Sequence, residues 1–176
     1  MRFLEVDINF SLDYKNSASD ALENMMNCTV TNEKSELSML SQNDFIIHLF
    51  CHLYKEATTL PWVKMKRDMT LYKYADIYML LEKKSDAQIS ALLDRAKDLN
   101  LEKVCAFAIL QTSELFEMKA PTTIEKARKA LNGDETFLHR VVAPDEKKTY
   151  LYRTTDILKR FFMGKRSADL EEMSEQ

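Results

Sequence analysis

Glu5, Asp7 and Asn9 put two carboxylates and an amide in one row, with Leu4, Val6, Ile8, Phe10 and Leu12 at the alternate positions. That alternation predicts a β-strand over residues 3–12, its apolar face on a core and its polar face toward water or a site. Oxygen ligands in such a row suit a divalent cation or a metal-bound nucleotide, although any solvated strand face looks the same. Lys64, Lys66, Arg67 and Lys73, interleaved with Trp62, Tyr72 and Tyr74, form the candidate substrate-binding surface for a nucleotide. As a solvated connector the same run would need no ligand. His48 and His52 stand four apart beside Cys51, a spacing that shares one helix face and could ligate zinc. The further ligands are missing, and so is the glutamate of an H-E-x-x-H pattern, so locally hydrogen-bonded histidines are expected; His139 lies far along the chain. Cys51 and His52 make no nucleophilic pair, because adjacent helix positions point about 100° apart. Gly133 and Gly164 are the only glycines, each alone, so no Gly-rich phosphate cradle can form.

The elements that would position these residues are mostly helical. A short helix is expected from residue 17 or 19 to 27, with Leu22, Met25 and Met26 inward, and residues 28–40 waver between strand and loop. Ser41, Asn43 and Asp44 offer capping chemistry ahead of Phe45, Ile46, Leu49, Phe50 and Leu53. Pro61 ends that helix, and residues 62–67 read as a connector. Leu71, Tyr74, Ala75, Tyr78 and Leu81 make the next stripe, with Asp76 as a structural hydrogen-bonding group. Ile89, Leu92, Leu93, Ala96 and Leu99 follow a capping box at residues 85–88. Leu101, Val104, Cys105, Ala108, Thr112 and Leu115 make another. Helices are thus predicted near residues 43–57, 70–83, 86–99 and 101–116, packed by short connections. After Pro121 come a short helix, a β-rich stretch over 136–142 with room for a small hairpin to 150–152, and a last helix over 155–163. That helix has Ile157, Leu158, Phe161 and Phe162 inward; Lys159, Arg160, Lys165 and Arg166 suit its macrodipole without a partner. The fold class is α+β: a helical bundle, an N-terminal β-strand and the small C-terminal hairpin. The expected division is strand and connector at 1–40, helical bundle at 41–120, C-terminal unit at 121–166 and a frayed acidic tail at 167–176.

A chain of 176 residues suits one domain, or one with an appendage. A net charge of -3 argues against an extensive nucleic-acid surface. No apolar run approaches the roughly 20 residues needed to span a bilayer, and no secretory signal is visible. Three cysteines without paired spacing fit a reducing compartment, so a cytoplasmic protein is expected.

The strand Leu4-Glu5-Val6-Asp7-Ile8-Asn9-Phe10, the segment over residues 40–53, the Tyr74-Ala75-Asp76-Ile77 helix and the D-A-Q-I-S-A-L-L-D-R-A helix over 86–96 occur in a telling order. This order resembles the C-terminal half of the uncharacterised nucleotidyltransferase family, relatives of DNA polymerase β-like enzymes, over roughly residues 2–165. The resemblance implies a Gly-Ser turn and an Asp-x-Asp pair that bind triphosphate and two metals, with a third carboxylate from a later strand. Asp7 occupies that third position; Asn9 and Phe10 stand where His and Trp are common. The histidines at 48 and 52 look like scaffold features of the family.

No Gly-Ser dipeptide and no Asp-x-Asp occur in the chain. One carboxylate strand cannot hold two metals about 3.5–4 Å apart. The expectation is therefore a nucleotidyltransferase-like protein, either a C-terminal fragment or a degenerate member, inactive on its own. Asp7 would be a vestigial or shared metal position, and Mg2+ would bind only if missing segments complete the site. The alternative is a non-enzymatic helical interaction module or subunit that needs a partner. The partners to expect are a nucleotide, a completing subunit, or a second copy across a two-fold axis, with the strand at 3–12 pairing either there or within the chain, in a small sheet with residues 29–31, 136–142 and 150–152.

Overall fold

Helical spacing of apolar residues places four helices within a residue or so of where they form: α2 (Gln42–Ala57), α4 (Leu71–Glu82), α5 (Asp86–Asp98) and α6 (Glu102–Leu115). The computed structural model describes Leu12, residues 19–32 and residues 37–173. The strand expected over 3–12, with Glu5, Asp7 and Asn9, lies outside the described residues apart from Leu12, which is buried. Two of the helices start on side-chain caps. Ser41 Oγ accepts from the Asp44 N–H at 3.2 Å. Ser85 and Gln88 close a reciprocal capping box, at 3.3 Å to the Ser85 hydroxyl and 2.9 Å to the Gln88 amide oxygen.

α6 is the axis of the bundle. Its residues 105–113 are all buried, and it touches α2, α4 and α5. A helix apolar on all sides has to be surrounded, and Ala106 and Ala108 let its neighbours approach. α7 (Pro121–Ala130) adds Ala127 to this core, and α1 (Ser19–Asn27) adds Ala21 and Met25. Between α1 and α2, β1 (Val30–Asn32) pairs antiparallel with β2 (Leu37–Met39), resolving the ambiguous stretch as a small hairpin.

A second, smaller core lies at the C-terminal end. α3 (Leu60–Lys64) forms where a connector was expected, because Pro61 in its first turn ends α2 and pre-sets the next helix. Leu60 and Val63 of α3 pack with Val141, Ala143 and Tyr152. These come from β3 (Arg140–Ala143) and β4 (Lys148–Tyr152), an antiparallel pair in which Arg140 faces Leu151 and Ala143 faces Lys148. β3 begins only at Arg140, since residues 135–139 form a 3-10 turn. The Val142 N–H donates to Thr58 O at 2.7 Å, stitching β3 to the end of α2.

Several expectations change. Where a frayed tail was expected, residues 166–169 form a 3-10 turn and β5 (Leu170–Glu172) pairs with β4 over Tyr150–Tyr152. β4 thus carries a strand on both sides there; the pairing expected for residues 3–12 lies outside the described residues. Phe45 and Leu71 are exposed, Leu49 is only half-buried and Met26 is exposed. On α2, Ile46, Ile47, Phe50 and Leu53 set the buried face, which leaves Phe45 and Leu49 on the adjoining edge with His52 and Glu56. In α8 (Ile157–Phe162) the inward pair is Ile157 and Arg160, so Leu158 and Phe162 point out. The architecture is α+β, eight helices with two small antiparallel sheets among the described residues.

Candidate functional site

The basic run divides. Lys64 ends α3, and Lys66 and Arg67 follow in the turn before α4; all three are exposed. Lys66 sits in the left-handed region at φ 60°, which turns the chain so that the Arg67 N–H reaches Trp62 O at 2.9 Å. The Arg67 guanidinium then lies 6.0 Å from the centre of the Trp62 ring. Tyr72 is 63% exposed at the start of α4, so cations and aromatic faces do share this surface. Lys73 leaves the group: its ammonium pairs with the Glu56 carboxylate on α2.

Glu56 also accepts from His52, whose Nε2 lies 3.1 Å from Glu56 Oε1. Burial pushes the Glu56 carboxyl up, but the hydrogen bonds from His52 and Lys73 outweigh it and hold it below its ordinary value. His48 is lowered, by burial first and by nearby His52 second. The two histidines thus behave as scaffold residues, one of them bonded locally. Among the described residues no three His, Cys, Asp or Glu side chains gather to hold a metal. Asp7, the expected metal position, lies outside the described residues. Asp76 is exposed on α4, not a buried hydrogen-bonding group. Cys51 and Cys105 are buried and in no disulfide, with burial pushing the Cys105 thiol well up.

Two of the cavities among the described residues bear on the site. The larger, about 320 Å³, opens beside α1, α2 and the turn between α5 and α6. Leu12, Cys51 and Leu101 form its apolar wall, and Asn24, Asp98 and Asn100 line its polar part. Among the described residues, no lysine or arginine lines it. The smaller lies between α6 and the C-terminal unit, in a polar cluster that linear reading missed. Asp68, just past the basic run, is 1% exposed and takes a forked pair from Arg166 at 2.8 Å to each oxygen. Tyr152 donates to the same carboxylate at 3.3 Å. Arg160 stacks 4.9 Å from the Tyr152 ring centre and donates to Gln111 Oε1 at 2.9 Å. Arg160 and Arg166, expected as macrodipole cations, are both buried: helical spacing from Ile157 turns Arg160 inward, and Arg166 pairs with Asp68, 98 residues away in the chain. Asp44 is a parallel case: beside its place in the capped first turn of α2, it pairs with Arg95 of α5 at 2.7 Å.

The model of the uncharacterised nucleotidyltransferase family matches residues 1–117, from the segment that includes Asp7 through the whole of α6. The chain belongs to this family. The matched span stops well short of the residue 165 expected from the sequence. It takes in α1 to α6, the basic run and all of the larger cavity's wall except Phe137, and it leaves out α7, α8 and the C-terminal sheet. No curated protein and no solved structure matches the chain. No helix among the described residues is long and apolar enough to cross a membrane.

Proposed function

We propose that this nucleotidyltransferase family member forms the substrate-binding half of a transfer site and does not transfer nucleotides alone. The observation that carries the reading is the family match over residues 1–117 in a chain without a Gly-Ser dipeptide or an Asp-x-Asp pair. Without those parts the chain lacks the donors and metal ligands that supply most transition-state stabilisation in phosphoryl and nucleotidyl transfer. The family resemblance gives Asp7 the place of the third carboxylate, and Mg2+ enters only when the other carboxylates are supplied.

The two regions of the matched span suit different parts of a substrate pair. Lys64, Lys66 and Arg67 offer cations and the Trp62 face to an anionic, base-bearing nucleotide. The described wall of the larger cavity offers apolar surface, two amides and two carboxylates, which suits an uncharged or amine-bearing acceptor better than a triphosphate. Leu12, in this cavity's wall, is five residues from Asp7, which keeps the two Cα atoms within about 18 Å of each other.

The test is an assay of the full chain with Mg2+ or Mn2+, each common nucleoside triphosphate labelled at the α-phosphate, and analysis for labelled product. No transfer is expected. Nucleotide binding should fall severalfold in a Lys64→Ala, Lys66→Ala, Arg67→Ala triple variant and should weaken with salt. Robust turnover that Asp7→Asn abolishes would overturn the reading.

A further inference from the structure

Gln111 on α6 and Arg160 on α8 are 2% and 4% exposed, and they bond each other through only one of their polar atoms apiece. Gln111 Nε2 and Arg160 Nε are both buried without a hydrogen-bond partner. Both side chains line the smaller cavity, about 10 Å³, whose other polar walls are Asp68, Tyr74 and Tyr152. A buried donor left unpaired carries its full desolvation cost, and native proteins seldom leave two in one place.

We propose that this cavity is a binding site for one water molecule, which accepts from Arg160 Nε and Gln111 Nε2 and joins α8 to α6. Size sets the first limit, since about 10–15 Å³ of such space is what one water occupies. Donor chemistry sets the second. Both orphaned atoms are N–H groups, so the occupant must accept, which excludes a metal cation. Charge sets the third. Arg160 has no carboxylate partner among the described residues, so a small anion would match it, but the Asp68 carboxylate forms part of the same wall. Water accepts from the two N–H groups and turns its own protons toward Asp68 or the Tyr74 hydroxyl, a pattern that no halide can make.

The site ties two parts of different standing. Gln111 belongs to the family-matched span and Arg160 lies outside it. The C-terminal unit therefore docks on the family's helical core partly through a solvent molecule.

Crystals of the full chain at high resolution test this directly. The expected result is a single density peak 2.7–3.2 Å from both Arg160 Nε and Gln111 Nε2. An anomalous peak at that point after a bromide soak would make it an anion site and overturn the proposal. So would an empty cavity with both N–H groups turned onto protein acceptors. In solution, the Arg160 Nε proton of the wild-type chain should show a nuclear Overhauser effect to a long-lived water. Its absence, with the resonance assigned and protected from exchange, would count against the site as firmly as the empty cavity.

Discussion

α5 enters the main core through Ile89, Leu92 and Ala96, all nearly fully buried and all apolar. The C-terminal sheet meets the helices differently, through a five-residue apolar cluster backed by the buried Asp68–Arg166 pair and the Arg160–Gln111 bond. The first junction gains mainly from area, about 1.5–3 kcal/mol for each large side chain buried, with the Arg95–Asp44 ion pair added beside it. The second has too little apolar area to act that way. It relies on polar groups that must all be satisfied together, since each one left over is costly. The family-matched helices thus cohere as a packed core that also takes in Ala127, Leu131, Leu138 and Ile157, while the C-terminal sheet is held to it by a lock of named contacts.

Breaking the lock should have the largest effect. Asp68→Ala strands the Arg166 guanidinium in a buried place and is expected to cost about 3–5 kcal/mol in denaturant unfolding. Asp68→Ala combined with Arg166→Met should recover much of that loss. An additive double variant would show that the two residues act independently and would blur the contrast with the apolar core.

Leu92→Ala is expected to cost about 2–5 kcal/mol as a cavity in the main core. Leu49→Ala, on the half-buried edge of α2, should cost well under that, although the two leucines look equivalent in the sequence. Equal losses would mean that Leu49 is covered as fully as Leu92.

The junctions should also differ in pH response. His139, beside the C-terminal sheet, is lowered from 6.5 to about 4, by burial first and by the Arg160 charge second. Its folded value lies below its unfolded one, so the unfolded chain binds the proton first as pH falls. The stability it contributes is complete above about pH 6.5 and is lost progressively as pH falls toward 4, on the order of 2 kcal/mol after allowance for its partial exposure. Stability measured from pH 7 to 4 in the wild type and in His139→Gln checks this: the variant should show the flatter profile. The smallest effect is expected at Ser85→Ala, which removes one half of the α5 capping box and should cost about 1 kcal/mol, read as a small drop in Tm.

Much of the candidate site was legible because it is local. The lysines and arginine at 64, 66 and 67 sit together because they are neighbours in the chain, and the glycine count alone excludes a phosphate cradle. Lys73 was grouped with them by proximity, and only the packing of α4 on α2 handed it to Glu56. Asp76 has apolar neighbours in sequence, yet its own position on α4 faces out between the buried Tyr74 and Ile77.

The sequence by itself determined the four main helices, the caps at Ser41 and Ser85, the absence of a Gly-Ser turn and the family, since each depends on residues a few positions apart or on their order. Tertiary structure alone decided which edge of α2 is buried, that residues 170–172 complete a sheet, and that Arg160 and Arg166 turn inward. The physical reason is that burial and ion pairing belong to partners distant in the chain. A guanidinium reads the same beside water as beside a carboxylate 98 residues away, until the fold brings Asp68 to it.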